Sequence, residues 1–370
     1  MLTCFCVENF KTFQKRLQFD LSNPGNYEFN LEAINRDENA VSKAIIYGFN
    51  GCGKSCLGLA IFDIILHLTD KEKKLSDYEP YLNLYNSMRE PARFEYHFRF
   101  NDSEVVYIYK KIGLNTLLEE SLSINGKERI KYNFVKHEGK AELEGAQTLK
   151  ISVGDNQISR VKYVFSNAIL AKNKENEAFL SFMHFVDNML MFYSLDSRGY
   201  RGFRTGSDNI AEAIINAGKL SEFERFLKSS NIQLSLEEGE KNGQKTIMVR
   251  FGKTLVDFFS IASTGTNSLA LFYYWYILLE KASFVYIDEF DAFYHYELAE
   301  TIVNYLKKLK RTQVILTTHN TDLLSNDILR PDCYYWLNNG EIHSLNRLTE
   351  KELRKAHNLQ KMFKADAFYE

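Results

Sequence analysis

The stretch Gly48-Phe49-Asn50-Gly51-Cys52-Gly53-Lys54-Ser55 decides the reading of this chain. It satisfies the pattern G-x-x-x-x-G-K-[ST], and the apolar run Ala44-Ile45-Ile46-Tyr47 leads into it. Ser55 to Leu68 follows with helical spacing, placing Leu57, Ala60, Ile61, Ile64 and Ile65 on one face. Small residues let successive backbone N–H groups curl round phosphate oxygens, and the N-terminus of the following helix adds its dipole. Lys54 is placed to reach the phosphates as a point charge, and the Ser55 hydroxyl to ligate Mg²⁺. A glycine-rich turn between strand and helix is common by itself. Lys-Ser in register, with both flanks correct, makes it a candidate ATP site. Its expected contacts are Asn50, Gly51, Cys52, Gly53, Lys54, Ser55 and Cys56.

Two further runs acquire meaning downstream of that loop. In Phe284-Val285-Tyr286-Ile287-Asp288-Glu289 four apolar β-formers end in two carboxylates, at the strand end where open α/β sheets bind ligands. Asp288 is the candidate Mg²⁺ partner and Glu289 the candidate base toward water. Val314-Ile315-Leu316-Thr317-Thr318-His319 reads as a neighbouring parallel strand, reached through a helix with Leu298, Ile302, Leu306 and Leu309 on its apolar face. Both strands then open on one edge, within reach of His319. The fourth element, Ser263-Thr264-Gly265-Thr266, opens the helix Asn267 to Lys281. Alone it reads as an N-cap.

Composition sets the frame. With 370 residues and 45% hydrophobic content the chain can bury a large core, as one domain or two lobes. A net charge of -2 supplies no overall basic field toward DNA or anionic membrane. Phe (28) and Tyr (22) are abundant and Pro (4) is scarce, as in a compact globular protein. The N-terminus lacks a signal-peptide pattern, and the longest apolar stretch, Leu269 to Leu279, is too short to span a bilayer, so a cytoplasmic location is expected. Cys4, Cys6, Cys52, Cys56 and Cys333 show neither zinc spacing nor a disulfide framework. Cys4-x-Cys6 on an alternating strand puts two small side chains on one face.

Along the chain, strands are expected at Phe5 to Val7, Leu17 to Leu21, Phe94 to Phe100 and Val105 to Tyr109, with a hairpin turn at Asn125-Gly126. Helix is expected from about Ala171 to Leu227, polar joints at Ser194 to Asp208 and Glu237 to Gln244, and a charged closing helix from Glu350 to Phe363. Phe165-Ser166-Asn167 reads as the end of a strand. The organisation predicted is an α/β nucleotide-binding lobe from residues 1–168 and 282–370, with a helical second lobe at 169–281.

Together these elements resemble the ABC-type ATPase head, in the branch of the SMC and double-strand-break-repair ATPases and the OLD-like AAA proteins of bacterial defence. Phe5-x-Val7-x-Asn9-Phe10-Lys11-x-Phe13 looks like that branch's first strand. Asp288-Glu289-Phe290-Asp291 followed by His295 is similar to its Walker B and D-loop, and Thr317-Thr318-His319-Asn320 to its switch histidine. Ala262-Ser263-Thr264-Gly265-Thr266 matches the degenerate signature of the defence ATPases. Arg330-Pro331-Asp332-Cys333 and Glu352 to Leu359 resemble the C-termini of abortive-infection ATPases of the RloA/AbiL kind, related to ATPases of Septu, PARIS and retron systems.

The resemblance implies a P-loop NTPase fold and a head-to-tail homodimer or higher oligomer. Two ATPs would lie between the loop of one copy and the signature of the other. Ser263 and Gly265 would act in trans, Asp291 would couple the sites, and Lys11 would lie near the phosphates. Lys54, Glu289 and His319 would form the catalytic set, with Mg²⁺ on Ser55 and Asp288. Three departures stand out: Asn167 occupies the place expected for the Q-loop glutamine, Thr264 replaces a signature glycine, and no coiled-coil arm or Toprim nuclease domain is evident. The expected function is therefore an ATPase, slowed by the altered signature, that senses or scaffolds for a separate nuclease or toxin in anti-phage defence. A DNA-repair or DNA-clamping ATPase is the alternative, through basic runs such as Lys307-Lys308-Leu309-Lys310-Arg311. A transporter's ATPase subunit fits the signature least.

Overall fold

The computed structural model describes residues 1–71, 75–86, 90–152, 157–193, 200–202, 209–292 and 296–368. Most of the joint expected at Ser194 to Asp208 lies outside these residues, as does His295. The chain opens with β1 (Leu2–Glu8), β2 (Leu17–Asp20), the short β3 (Ile34–Asn35) and β4 (Ala40–Val41), then β5 (Lys43–Tyr47), α1 (Lys54–Phe62) and α2 (Ile65–Leu68). A β-meander follows: β6 (Ala92–Phe100), β7 (Ser103–Gly113), β8 (Thr116–Ile124), β9 (Lys127–Asn133) and β10 (Glu138–Ala141). Next come α3 (Arg160–Asn167), α4 (Lys174–Asp187), β11 (Met189–Tyr193), β12 (Tyr200–Gly202), α5 (Ile210–Asn216) and α6 (Leu220–Ser229). Then follow β13 (Leu236–Lys241), β14 (Gln244–Phe251), β15 (Thr254–Asp257), α7 (Phe258–Ile261) and α8 (Thr264–Leu279). The chain ends with β16 (Phe284–Asp288), α9 (Tyr296–Lys307), β17 (Gln313–Thr317), β18 (Tyr334–Asn338), β19 (Glu341–Ser344) and α10 (Leu359–Lys364).

Two large sheets organise these elements. One runs β12-β11-β16-β17-β5-β18-β19, and its inner pairings, β11/β16, β16/β17, β17/β5 and β5/β18, are parallel. Every residue of β5, β16 and β17 is buried, which accounts for their unbroken apolar runs. The other sheet, β10-β9-β8-β7-β6-β1-β2, is antiparallel throughout, and β7 alternates buried and more exposed residues as a one-sided sheet should. α4 lies against β6 and β7, and α1 against β16 and β11. This is the expected α/β P-loop architecture, with a mixed-sheet lobe and a second lobe built round α5, α6 and α8.

Several expectations need correction. The helix foreseen over Ser55 to Leu68 breaks at Asp63 and Ile64. Tyr96 Oη donates to the carbonyls of Ala60 (2.9 Å) and Ile61 (3.3 Å), taking acceptors that the next turn would use. Helix does not persist from Ala171 to Leu227: Met189–Tyr193 is β11, and it pairs with β16 in the core sheet. That segment of the expected 169–281 lobe therefore lies in the same sheet as β5, β16 and β17. A short apolar run has no period by which to tell strand from buried helix.

The strand end expected at Phe165-Ser166-Asn167 is the last turn of α3, which starts where Ser159 Oγ accepts from Lys162 N. The joint at Glu237 to Gln244 is a β-hairpin. Its Asn242-Gly243 tip has both residues at positive φ (54° and 78°), closing Lys241 onto Gln244. The closing helix is only Leu359–Lys364. Asn326 Nδ2 donates to the carbonyls of Arg354, Lys355 and His357, three acceptors that a continuous helix would need. No described helix is long and apolar enough to cross a membrane.

Candidate functional site

The loop after β5 needs glycine at two points for steric reasons. A Cβ at Gly48 would sit 2.5 Å from Cys52 Sγ and 2.6 Å from the Leu337 carbonyl of β18. Gly53, at φ 107°, would put one 2.9 Å from Thr12 Oγ1 and 3.3 Å from the Phe13 ring. The β1–β2 connection and β18 thus grip the loop from two sides. Gly51 (φ 77°), Asn50 and the half-buried Cys52 form its outer rim.

Lys54 opens α1 and turns back over the loop, where its Nζ donates to Gly48 O (2.9 Å) and Phe49 O (3.3 Å). His319 Nε2 lies 2.9 Å from the same Nζ. Burial pulls the Lys54 pKa down, against the opposing charges of Cys52, Asp288 and Glu289. A covered cation resting on carbonyl dipoles is a receptor for an anion.

The carboxylates stand beside it. Ser55 Oγ donates to Asp288 Oδ2 at 2.5 Å, so the two oxygens expected to share Mg²⁺ are already together. Asp288 Oδ1 accepts from Thr317 Oγ1 (2.7 Å), and that hydroxyl in turn accepts from Glu289 N (2.7 Å). Glu289 has φ 46°, an uncommon conformation for a non-glycine residue. Its Oε1 lies 3.6 Å from His319 Nε2. Asp291 Oδ2 accepts from Thr318 Oγ1 at 2.7 Å, and burial pushes its carboxyl pKa up.

The remaining expected residues divide. Lys11 has φ 47°. Its backbone N–H donates to Tyr81 O (3.1 Å) and its Nζ lies 3.4 Å from the carbonyls of Glu79 and Pro80. Its pKa is lowered by burial, against smaller raising effects from Cys56 and Asp77. Ser263 and Gly265 do not join the cluster. Ser263 Oγ accepts from Thr266 N at 3.2 Å and caps α8, and Gly265 has only that oxygen, 3.9 Å away, near the position of a Cβ. Asn167, in place of the glutamine, turns its amide to Tyr163 O.

Sequence reasoning missed three contributors. Thr317 ties Asp288 to Glu289, Tyr286 Oη donates to the Lys54 carbonyl at 2.6 Å, and Asp63 anchors the far end of α1. A threonine closing the aliphatic run Val314-Ile315-Leu316 was the visible signal for the first. For Tyr286 and Asp63 the signal is spatial and leaves no local pattern.

Residues 43–325 match a protein family described as "AAA domain, putative AbiEii toxin, Type IV TA system". The chain belongs to this AAA family. The match spans the P-loop, the signature segment, the Asp288-Glu289 strand and His319. No curated protein matches the sequence. Solved structures similar to this AAA-family chain include the SMC head domain from Thermotoga maritima, at 18% identity and TM-score 0.47, covering 93% of this chain and 98% of that one. Another is an Smc head with an extended coiled coil, bound to the C-terminal domain of ScpA derived from Pyrococcus furiosus. It shows 13% identity and TM-score 0.46, with 94% and 97% coverage. A third, an Smc head bound to the C-winged helix domain of ScpA, shows 14% identity and TM-score 0.42, with 94% and 99% coverage.

Proposed function

We propose that this chain is an ATP-hydrolysing switch that closes as a dimer around ATP and controls a separate nuclease or toxin in anti-phage defence. One observation carries the first half: Lys54, Ser55, Asp288, Glu289 and His319 converge from β5, β16 and β17 on one edge of the core sheet. Asn50 to Cys56 would cradle the phosphates through their backbone N–H groups. Lys54 would exchange the Gly48 and Phe49 carbonyls for phosphate oxygens. Ser55 and Asp288 would hold Mg²⁺, whose charge offsets that of the phosphates. Glu289 would accept the proton of the attacking water, and His319 would hold the terminal phosphate.

The capped N-terminus of α8 has its hydroxyls in its own turn, and Ser263 and Thr264 are exposed. This favours contact with the site of a second copy, where Ser263 and Gly265 would complete the phosphate shell. Asp291, joined to Thr318 beside His319, would relay the state of one site to the other. Membership of a family described by a toxin of a Type IV toxin–antitoxin system favours a defence role. The basic run that starts at Lys307, the last residue of α9, favours the DNA-clamping alternative less. Lys307 Nζ is engaged by Asn30, the Ile328 carbonyl and Glu32, and Lys308 lies over the Tyr305 ring.

Sedimentation and ATP turnover with Mg·ATP test the reading together. Glu289→Gln is expected to keep ATP bound and sediment as a stable dimer, and Lys54→Ala to bind no ATP and stay monomeric. Turnover by Glu289→Gln at the wild-type rate would remove Glu289 as the base. Co-purification with a co-encoded nuclease or toxin tests the second half, and ATP-tightened, salt-dependent DNA binding without such a partner would favour the alternative.

A further inference from the structure

Phe49, the second residue of the nucleotide loop, is 61% exposed, yet its ring has a seat. It stands edge-on to Trp336, with ring centroids 5.1 Å apart and planes at 82°. Trp336 in turn meets Phe363 of α10 edge-on, at 4.9 Å and 76°. The strand register brings these rings together. Trp336 of β18 is the parallel partner of Tyr47, the last residue of β5, so the two side chains share one face of the sheet. Phe363 covers both, lying 6.2 Å from the Tyr47 ring. Asn358 Oδ1 accepts from Lys361 N at 2.8 Å and starts α10, whose buried positions are Leu359 and Phe363, one turn apart.

β18 therefore holds the start of the loop twice. A Cβ at Gly48 would come within 2.6 Å of the Leu337 carbonyl, and Trp336 seats the side chain of the next residue. Beyond Phe49 this support ends. Asn50 and Gly51 are exposed, and apart from chain neighbours no described atom lies within 4 Å of the place a Cβ at Gly51 would take. The Phe49 carbonyl accepts from Cys52 N at 3.2 Å, which closes the turn, and from Lys54 Nζ at 3.3 Å. The closing turn, the resting place of the lysine and the aromatic stack thus meet at one residue. A ring anchored outside the loop restricts the peptides that follow it, and so lowers the ordering cost when phosphates enter.

We propose that Trp336 and Phe363 are positioning residues of the nucleotide loop, which hold Phe49 and so pre-form the Asn50 to Cys56 cradle before phosphates arrive. α10, at the far end of the chain, then acts on the ATP site through two rings, and lifting it from β18 slackens the loop. This role rests on the ATP-site reading and adds to it residues that none of the sequence motifs contains.

The test measures binding of a fluorescent ATP analogue with Mg²⁺ to the full chain. Phe49→Ala and Phe363→Ala should each raise Kd about three- to tenfold, the worth of one edge-on aromatic pair. Both act through Trp336, so the double variant should lose no more than the weaker-binding single one. Phe49→Tyr keeps the ring and should bind as wild type does. The chain has two tryptophans, so in a Trp275→Phe background the emission reports Trp336 alone. Mg·ATP should shift that emission, and Phe49→Ala should abolish the shift at saturating nucleotide. Phe49 is exposed, so its variants keep the test decisive even if Phe363→Ala fails to fold. Wild-type affinity in Phe49→Ala, or losses that multiply in the double variant, would overturn the proposal and leave the ATP-site reading intact. A wild type that binds no nucleotide would remove both.

Discussion

Thr317 is the residue whose removal tests the geometry of the site most sharply. Its side chain is fully buried and makes two hydrogen bonds of 2.7 Å, one to the Asp288 carboxylate and one from the Glu289 N–H. Thr317→Val keeps the shape, opens no cavity and deletes both. A hydrogen bond to a charged group contributes about 1.5–3 kcal/mol, and an orphaned buried N–H costs about 1–3 kcal/mol. The two effects share one hydroxyl and do not simply add, so a loss of about 2–4 kcal/mol is expected. Urea unfolding should show it as a lower midpoint at unchanged slope. Turnover should fall more steeply than stability alone would dictate at temperatures where the variant is folded. Glu289 at φ 46° holds a conformation disfavoured by roughly 1–2 kcal/mol, and its N–H anchor on Thr317 resists relaxation. A shift of about 1 Å in a reacting group costs on the order of 100-fold in rate. Thr317→Ser keeps the hydroxyl and should stay within about 1 kcal/mol of wild type. If Thr317→Val unfolds within about 0.5 kcal/mol of wild type and turns over ATP normally, the clamp does not exist in solution.

Lys111 and Asp63 form an ion pair at 2.7 Å with both side chains fully buried. Lys111→Met should therefore destabilise by about 3–5 kcal/mol in denaturant unfolding, with partial recovery on adding Asp63→Asn. Gly58 packs α1 onto β16, and a Cβ there would stand 2.7 Å from both Met191 Cε and Tyr286 Cε1. Met191 can yield but Tyr286 is tied to the Lys54 carbonyl, so Gly58→Ala should cost about 1–3 kcal/mol and weaken binding of a fluorescent ATP analogue. Burial opposes the Glu95 charge, yet Arg16, His97 and Arg93 hold its pKa at about 2, below 4.5. That lowered pKa contributes stability above pH 4.5 and loses it as pH falls through 2, so Glu95→Gln should flatten the acid limb of unfolding across that window.

Much of the site was legible because its parts are short, local and periodic. A strand buried on both faces must be a continuous apolar run, so β5, β16 and β17 announced themselves, and the polar residues that close them sit where a parallel sheet presents its ends. The errors arose where a distant side chain decided a local question. Tyr96 interrupts α1, Asn326 prevents the closing helix, and β16 draws Met189–Tyr193 into strand. None of these partners lies within a window that a periodicity could scan. The Asn242-Gly243 turn is different, since its signal was local and its flanking alternation of Ile247 and Val249 was present in the sequence.

These long-range ties bear on how a nucleotide signal could travel. α1 carries Lys54 and Ser55 at its start, and Asp63 follows its last residue, so anything that displaces the loop pushes on both ends. At the far end Asp63 Oδ1 accepts from Tyr109 Oη (2.8 Å) and Lys111 Nζ, and its Oδ2 accepts from Tyr81 Oη (2.9 Å). Tyr109 and Lys111 belong to β7, and the Tyr81 carbonyl holds the backbone N–H of Lys11. The helix, the antiparallel sheet and the Lys11 loop are therefore cross-linked through one buried carboxylate. Deforming that network would leave an uncompensated charge in the interior, at a cost of several kcal/mol. Rotation of the whole unit against β16 and β17 would instead break separate hydrogen bonds, from Lys54 to His319, from Ser55 to Asp288, from Tyr286 to the Lys54 carbonyl and between Gln313 and Leu2, and slide Phe62 over Phe284. Motion on nucleotide binding should accordingly be rigid-body, with α1, β7 and Lys11 moving together. Spin labels on the exposed Lys127 and Asp322 lie outside the network and should report one distance change with ATP, unaltered in shape by Tyr81→Phe. A distance distribution that broadens with ATP instead of shifting as one peak would show that the carboxylate does not hold the unit together.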